Sequence, residues 1–159
     1  MNPADVRERR VEPPADGPPP PDPAAVLRQP VPTLLLDGAY AGFDQLTFDV
    51  DRGCWGLGTT TSGDSIVLMP SGEVRCFYPA TDVFVNSTFS RFDQTIRAVA
   101  ARYPYYDAAM FDDDDHMQRI KRELFSAVAR IDPAAVEDGW WNDLLWDILS
   151  GDFGVEAFD

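Results

Sequence analysis

At 159 residues the chain has single-domain length, and a hydrophobic content of 45% is enough to build one buried core. Its 27 acidic residues against 13 basic ones give a net charge of -14, which repels phosphate backbones and anionic lipid headgroups, so neither nucleic acid nor membrane is expected as a partner. No stretch has the make-up of a signal peptide or the ~20 apolar residues of a membrane span, and a cytoplasmic location is the expectation.

The first segment, residues 1–32, is dense in proline: Pro13, Pro14, Pro18, Pro19, Pro20, Pro21 and Pro23 crowd around Gly17. Proline fixes φ and lacks an amide donor, which predicts a disordered, proline-rich tail ahead of a single α+β domain over residues 33–159. From Thr33 the character changes. Leu34, Leu35 and Leu36 form an apolar run, Gln45 to Val50 alternates like a strand, and Asp51-Arg52-Gly53 supplies turn chemistry before a strand over Cys54 to Leu57. Ser65 to Met69 and Glu73 to Tyr78 flank the turn Pro70-Ser71-Gly72 and read as a hairpin, and Asp82 to Val85 is a further short strand. An antiparallel or mixed sheet of four to six strands follows from this pattern.

The period then becomes helical. Asn86 and Ser87 offer side-chain acceptors to a first helical turn, and Phe89, Phe92, Ile96, Val99 and Tyr103 recur at steps of three and four. That helix is expected to end near Tyr103, because the residue before Pro104 is pushed out of the α region. After a loop holding Tyr105, Tyr106 and Asp112 to Asp115, a second apolar stripe runs through Met117, Ile120, Leu124, Val128 and Ile131. Asp132-Pro133 reads as an N-cap with proline at the first helical position. The last helix is expected over Gly139 to Ser150, with Trp141, Leu144, Leu145 and Ile148 inward and Gly151 as its stop. Strands first and helices after argue for α+β, with C-terminal helices packed against the sheet.

Little in the chain assembles catalysis. His116 is the single histidine and stands beside four aspartates at a helix start, with no nucleophile signalled within reach. Asp112 to Asp115 lack the register and glycine of a calcium loop, and a role as helix cap or partner-facing patch is the expectation. Gly53, Gly56, Gly58 and Gly63 lack the lysine and hydroxyl of a phosphate-binding loop and read as turns or bulges; Asp49 and Asp51 read as a hairpin end. Cys54 and Cys76 have no metal-ligand spacing and read as buried thiols, able to pair only if their strands are neighbours. No catalytic, cofactor-binding or metal-ligating residue is assigned.

Binding residues are easier to nominate. Residues 112–159 hold thirteen acidic and four basic side chains, a net charge of -9, enough to steer a basic partner. In the last helix Trp140 and Trp146 fall on opposite flanks of the stripe that carries Trp141, and a flanking tryptophan beside Asp143 and Asp147 has the composition of an interface hot spot with an acidic rim. The expected contact face comprises Tyr105, Tyr106, Asp112, Asp113, Asp114, Asp115, Trp140, Asp143 and Asp147.

Several of these landmarks stand in a familiar order. Trp55-Gly56-Leu57-Gly58, Ser65 to Met69 with Ser71-Gly72-Glu73-Val74, Val85-Asn86-Ser87-Thr88-Phe89 with Phe92, and Ile131-Asp132-Pro133-Ala134-Ala135 followed by Trp141, Leu145, Ile148 and Gly151 together resemble the fourth immunity group of the SUKH superfamily, over residues 53–151. Thr88 departs from the more usual serine, and the N-terminal helix often found in the superfamily is not evident. The resemblance implies a SUKH-like fold and a non-enzymatic immunity protein that neutralises a cognate bacterial toxin. Such toxins often act on nucleic acid and can be basic, which an acidic partner complements. An adaptor of the same fold, serving a signalling or cell-envelope partner, is the alternative. A metal-dependent enzyme acting through His116 or the aspartate run is a distant one.

Overall fold

A computed structural model describes residues 41–60, 62–102, 104–106, 108–110 and 112–150. The expected proline-rich tail, the Leu34 to Leu36 run, Tyr103 and the stop at Gly151 lie outside these residues. Five strands come first: β1 (Ala41–Asp49), β2 (Cys54–Thr59), β3 (Ser65–Leu68), β4 (Val74–Phe77) and β5 (Asp82–Asn86). They form one antiparallel meander in sequence order, each paired with the next.

Register follows from the alternation of apolar residues, since a slip by one position would turn every core side chain to the other face. Trp55 stands opposite both Phe48 and Leu68, Leu68 opposite Val74, and Ile66 opposite Cys76. These side chains share one face and enter the core, with Phe48 and Trp55 in a tilted ring contact at 5.0 Å. Tight turns join the strands. Gly72 takes φ 92° and its amide donates to the Met69 carbonyl at 2.9 Å, a left-handed geometry that a residue with a Cβ rarely adopts. Asp49 closes the first hairpin as expected, its Oδ1 accepting from the Asp51 and Arg52 amides at 3.0 and 3.1 Å. The glycine-rich stretch behaves as turn and irregularity: the pairing of β2 with β3 shifts register between Gly56 and Gly58. Cys54 and Cys76 lie on β2 and β4 with β3 between them, so both are free, buried thiols, and burial pushes each up to about 11.

Three α-helices follow: α1 (Phe89–Ala100), α2 (Asp114–Ile131) and α3 (Trp140–Leu149), with short 3-10 turns at Ala108–Met110 and Pro133–Val136. The cap of α1 is Thr88, whose Oγ1 accepts from the Arg91 amide at 3.2 Å, rather than Asn86 or Ser87. Threonine supplies the same acceptor as the serine it replaces. α1 also stops at Ala100, short of Tyr103, as its last turn tightens with the Arg102 amide reaching back to the Val99 carbonyl. Asp113 caps α2 by accepting from the His116 amide at 3.1 Å.

The apolar stripes dock where their spacing directs them. Phe92, Ile96 and Val99 of α1, Ile120, Leu124 and Val128 of α2, and Trp141, Leu144, Leu145 and Ile148 of α3 merge with the sheet residues in one core. α3 comes unusually close to β5 at its start. Gly139, at φ 132°, precedes the first turn, and a Cβ there would run into the Phe84 carbonyl oxygen.

Candidate partner-binding surface

The interior polar residues are settled among themselves before any surface is considered. Asp132, wholly buried, begins the Pro133–Val136 turn but does not cap it with its side chain. Its carboxylate instead accepts from the Ser87 amide at 2.7 Å, the Ser87 hydroxyl at 2.8 Å and the Asn86 side-chain amide at 3.0 Å, while Arg91 reaches it from the surface at 3.4 Å. Burial alone would push this carboxyl upward, but the hydrogen bonds from Ser87 and Asn86 and the Arg91 charge outweigh it and hold the group below the usual carboxylate range. The Asn86 oxygen accepts from the Trp141 indole at 2.8 Å. These bonds make the cluster a clamp that joins the end of β5 to α1, α3 and the turn at Asp132. The sequence alone pointed to Asn86, Ser87 and Asp132 as caps, because short polar side chains beside helix starts have that role most often.

The comparisons bear on this frame. A family model described as SUKH-4 immunity protein matches residues 14–147. The chain belongs to that family. The match reaches from within the proline-rich segment to the last helix, and takes in the whole sheet and the buried Asn86, Ser87, Asp132 and Trp141 cluster. No curated protein and no solved structure matches the chain significantly.

The surface of this SUKH-4 immunity protein differs from the expected contact face in three positions. Tyr105, Tyr106 and Trp140 are buried, at 5%, 4% and 5% exposure, and belong to the core. Their aromatic bodies are drawn inward for the apolar area they remove from water, and Trp140 packs edge-on against Trp141 at 4.8 Å. The flanking tryptophan that does reach solvent is Trp146, 47% exposed. It projects from α3 onto α2, with the Phe125 ring edge-on at 6.3 Å and the Lys121 ammonium 3.7 Å from the ring centre.

The carboxylates expected at the surface are there. Asp143 and Asp147 are exposed on α3, and with Trp146 they fall at steps of three and four along one helix face. Asp112, Asp113, Asp114 and Asp115 are exposed at the start of α2, where the helix dipole favours negative charge. Asp114, Gln118, Lys121 and Phe125 follow each other on one stripe of α2, so the aspartate run lies about two turns, or ~10 Å, along the helix from the residues that support Trp146. An aromatic group held rigid between two helices and rimmed by carboxylates can bury itself against a partner while steering it by charge.

Two further features bear on chemistry. Among the described residues no three or more His, Cys, Asp and Glu side chains group as a metal site would, and no helix is long and apolar enough to cross a membrane. His116 is engaged with Arg119, whose Nη2 donates to its Nδ1 at 2.6 Å. What the sequence alone did not reveal is a groove on the opposite flank of α2, lined by Arg102, Arg119, Arg122 and Arg130 together with Glu123 and Ser126. The signal was present in Arg119, Arg122 and Arg130, which recur on one helix face at steps of three and eight, but the net acidity of the segment masked it.

Proposed function

We propose that the protein is an immunity factor that binds a cognate polymorphic toxin domain, acting on nucleic acid, and neutralises it by stoichiometric protein-protein inhibition in the cytoplasm of the bacterium that makes the toxin. Membership of the SUKH-4 immunity family carries this reading. The exposed Trp146 between Asp143 and Asp147 supports it and gives the contact an anchor, with Asp112 to Asp115 as an acidic flank suited to the basic surface with which a toxin grips nucleic acid.

Co-expression tests it directly. Cells producing the toxin domain encoded beside this gene should survive only when the protein is present, and the two should co-purify as a complex of fixed ratio that weakens as salt rises. Absence of both protection and complex refutes the proposal.

A further inference from the structure

Positive charge is scarce in this protein and is not spread evenly. Of the described arginines, Arg52, Arg75, Arg91 and Arg97 each have a carboxylate within ion-pair distance, Asp49, Asp82, Asp132 and Asp93 respectively. Arg102, Arg119, Arg122 and Arg130 have none within 4.0 Å among the described residues. These four converge on one open groove of about 400 Å³ between α1 and α2. The small side chains Ala98, Ala101 and Ala127 extend it along the helix pair.

Arg119, Arg122 and Arg130 lie on one flank of α2 with Ser126 between them, and Arg102 faces them from the end of α1. Arg102 donates to the Glu123 carbonyl at 3.4 Å, Arg130 to the Ser126 carbonyl at 3.3 Å, and Arg119 to the His116 ring at 2.6 Å, while the Glu123 side chain lines the groove without forming an ion pair with any of them. Each such contact uses a single N–H of a guanidinium that carries five, which leaves donors over for a further acceptor. A chain with twice as many acids as bases has carboxylates to spare for every arginine. That four stand side by side with no carboxylate in ion-pair range among the described residues makes this groove the place where an anionic group would be held best.

We propose that this groove binds an acidic segment of a partner protein, lying along α2 with carboxylates at alternate positions. Arg119 to Arg130 spans ~16 Å of helix, the reach of about five extended residues. Alternate side chains of an extended segment repeat every ~6.6 Å, close to the ~5–6 Å that separates neighbours one turn apart on a helix. Guanidinium groups take carboxylates bidentately, which gives such a segment both register and strength. A long nucleic acid fits less well, since its phosphates would run from the groove past Asp112 to Asp115 in a protein of net charge -14. The groove lies on the α1 side of α2 and Trp146 on the α3 side, so it does not depend on the toxin contact proposed above.

The test uses the full chain and a fluorescein-labelled peptide of alternating aspartate and alanine, followed by anisotropy at about 20 mM salt. The same peptide with asparagine for aspartate and a labelled single-stranded oligonucleotide are run beside it. The aspartate peptide should bind at least about tenfold more tightly than the asparagine peptide, and the pair Arg122→Glu and Arg130→Glu should weaken it by about tenfold or more. Arg52→Glu, in the turn between β1 and β2 and outside the groove, should change it by no more than about twofold. Circular dichroism checks that the variants fold, and Arg122→Gln with Arg130→Gln reads the same loss should the charge reversal unfold the helix. Equal affinity for the two peptides, tighter binding of the oligonucleotide, or an equal loss in Arg52→Glu overturns the proposal.

Discussion

The indole nitrogen of Trp141 donates to the side-chain oxygen of Asn86 at 2.8 Å, across 55 positions of sequence. Asn86 passes the link on, its amide donating to Asp132 at 3.0 Å, so that one side chain at the end of β5 holds both the last helix and the turn that leads into it.

Trp141→Phe keeps an aromatic ring in the core but removes the donor and part of the indole's volume, leaving the Asn86 oxygen buried without its partner. The expected cost is about 1–3 kcal/mol. Asn86→Ala should cost more, since it strands both the indole and one acceptor site of Asp132. Because the two changes break a shared bond, urea denaturation of the double variant should show less than the sum of the single losses.

Asp132 gives the fold its acid sensitivity. Its native carboxyl titrates below the ordinary carboxylate value, so ionisation favours the folded state. That contribution is complete above the unfolded value of about pH 4 and is lost as pH falls through the native value. Asp132→Ala should lower stability at neutral pH by about 3 kcal/mol, because the half-buried Ser87 amide and hydroxyl lose their acceptor and the buried Asn86 amide keeps only Thr95 Oγ1, at 3.4 Å. Thermal melts from pH 6 to pH 2 should show a shallower acid decline for the variant than for the native chain.

The strands, the three apolar helix stripes and the family were legible in the sequence because each rests on local period or on turn chemistry: Val74 and Cys76 alternate, and Phe92, Ile96 and Val99 recur at helical steps. The Asp132 clamp was not, since it joins residues 41 to 55 positions apart and the short-range capping role of the same side chains is the commoner pattern. The contact face divided along the same line. Asp112 to Asp115, Asp143 and Asp147 are at the surface, as charge requires, whereas choosing between Trp140 and Trp146 depends on which flank of α3 faces the Phe125 side of α2. Tyr105 and Tyr106 sit in a loop, and a loop position gives no period from which to tell inside from outside.

Gly139 is the position where α3 meets the sheet. With φ at 132° and the Phe84 carbonyl where a Cβ would go, Gly139→Ala must shift either β5 or the first turn of the helix. A loss of about 3 kcal/mol is expected, against well under 1 kcal/mol for alanine at an unstrained surface position. Denaturation midpoints of the two variants make the comparison.

Trp140 and Trp146 offer the sharpest separation of folding from binding. Trp140 is buried against Trp141, and Trp140→Ala should destabilise the protein by about 3–5 kcal/mol through the cavity it leaves. Trp146 is half exposed, and Trp146→Ala removes a ring edge from Phe125 and a face from Lys121, worth about 1 kcal/mol or less. If Trp146 anchors the toxin, the same substitution should weaken the complex by about 2 kcal/mol or more, roughly thirtyfold in Kd, while the melting curve barely moves. Titration calorimetry beside a thermal melt reads both quantities on one sample. A Trp146→Ala protein that binds the toxin undiminished would move the contact off this face of α3.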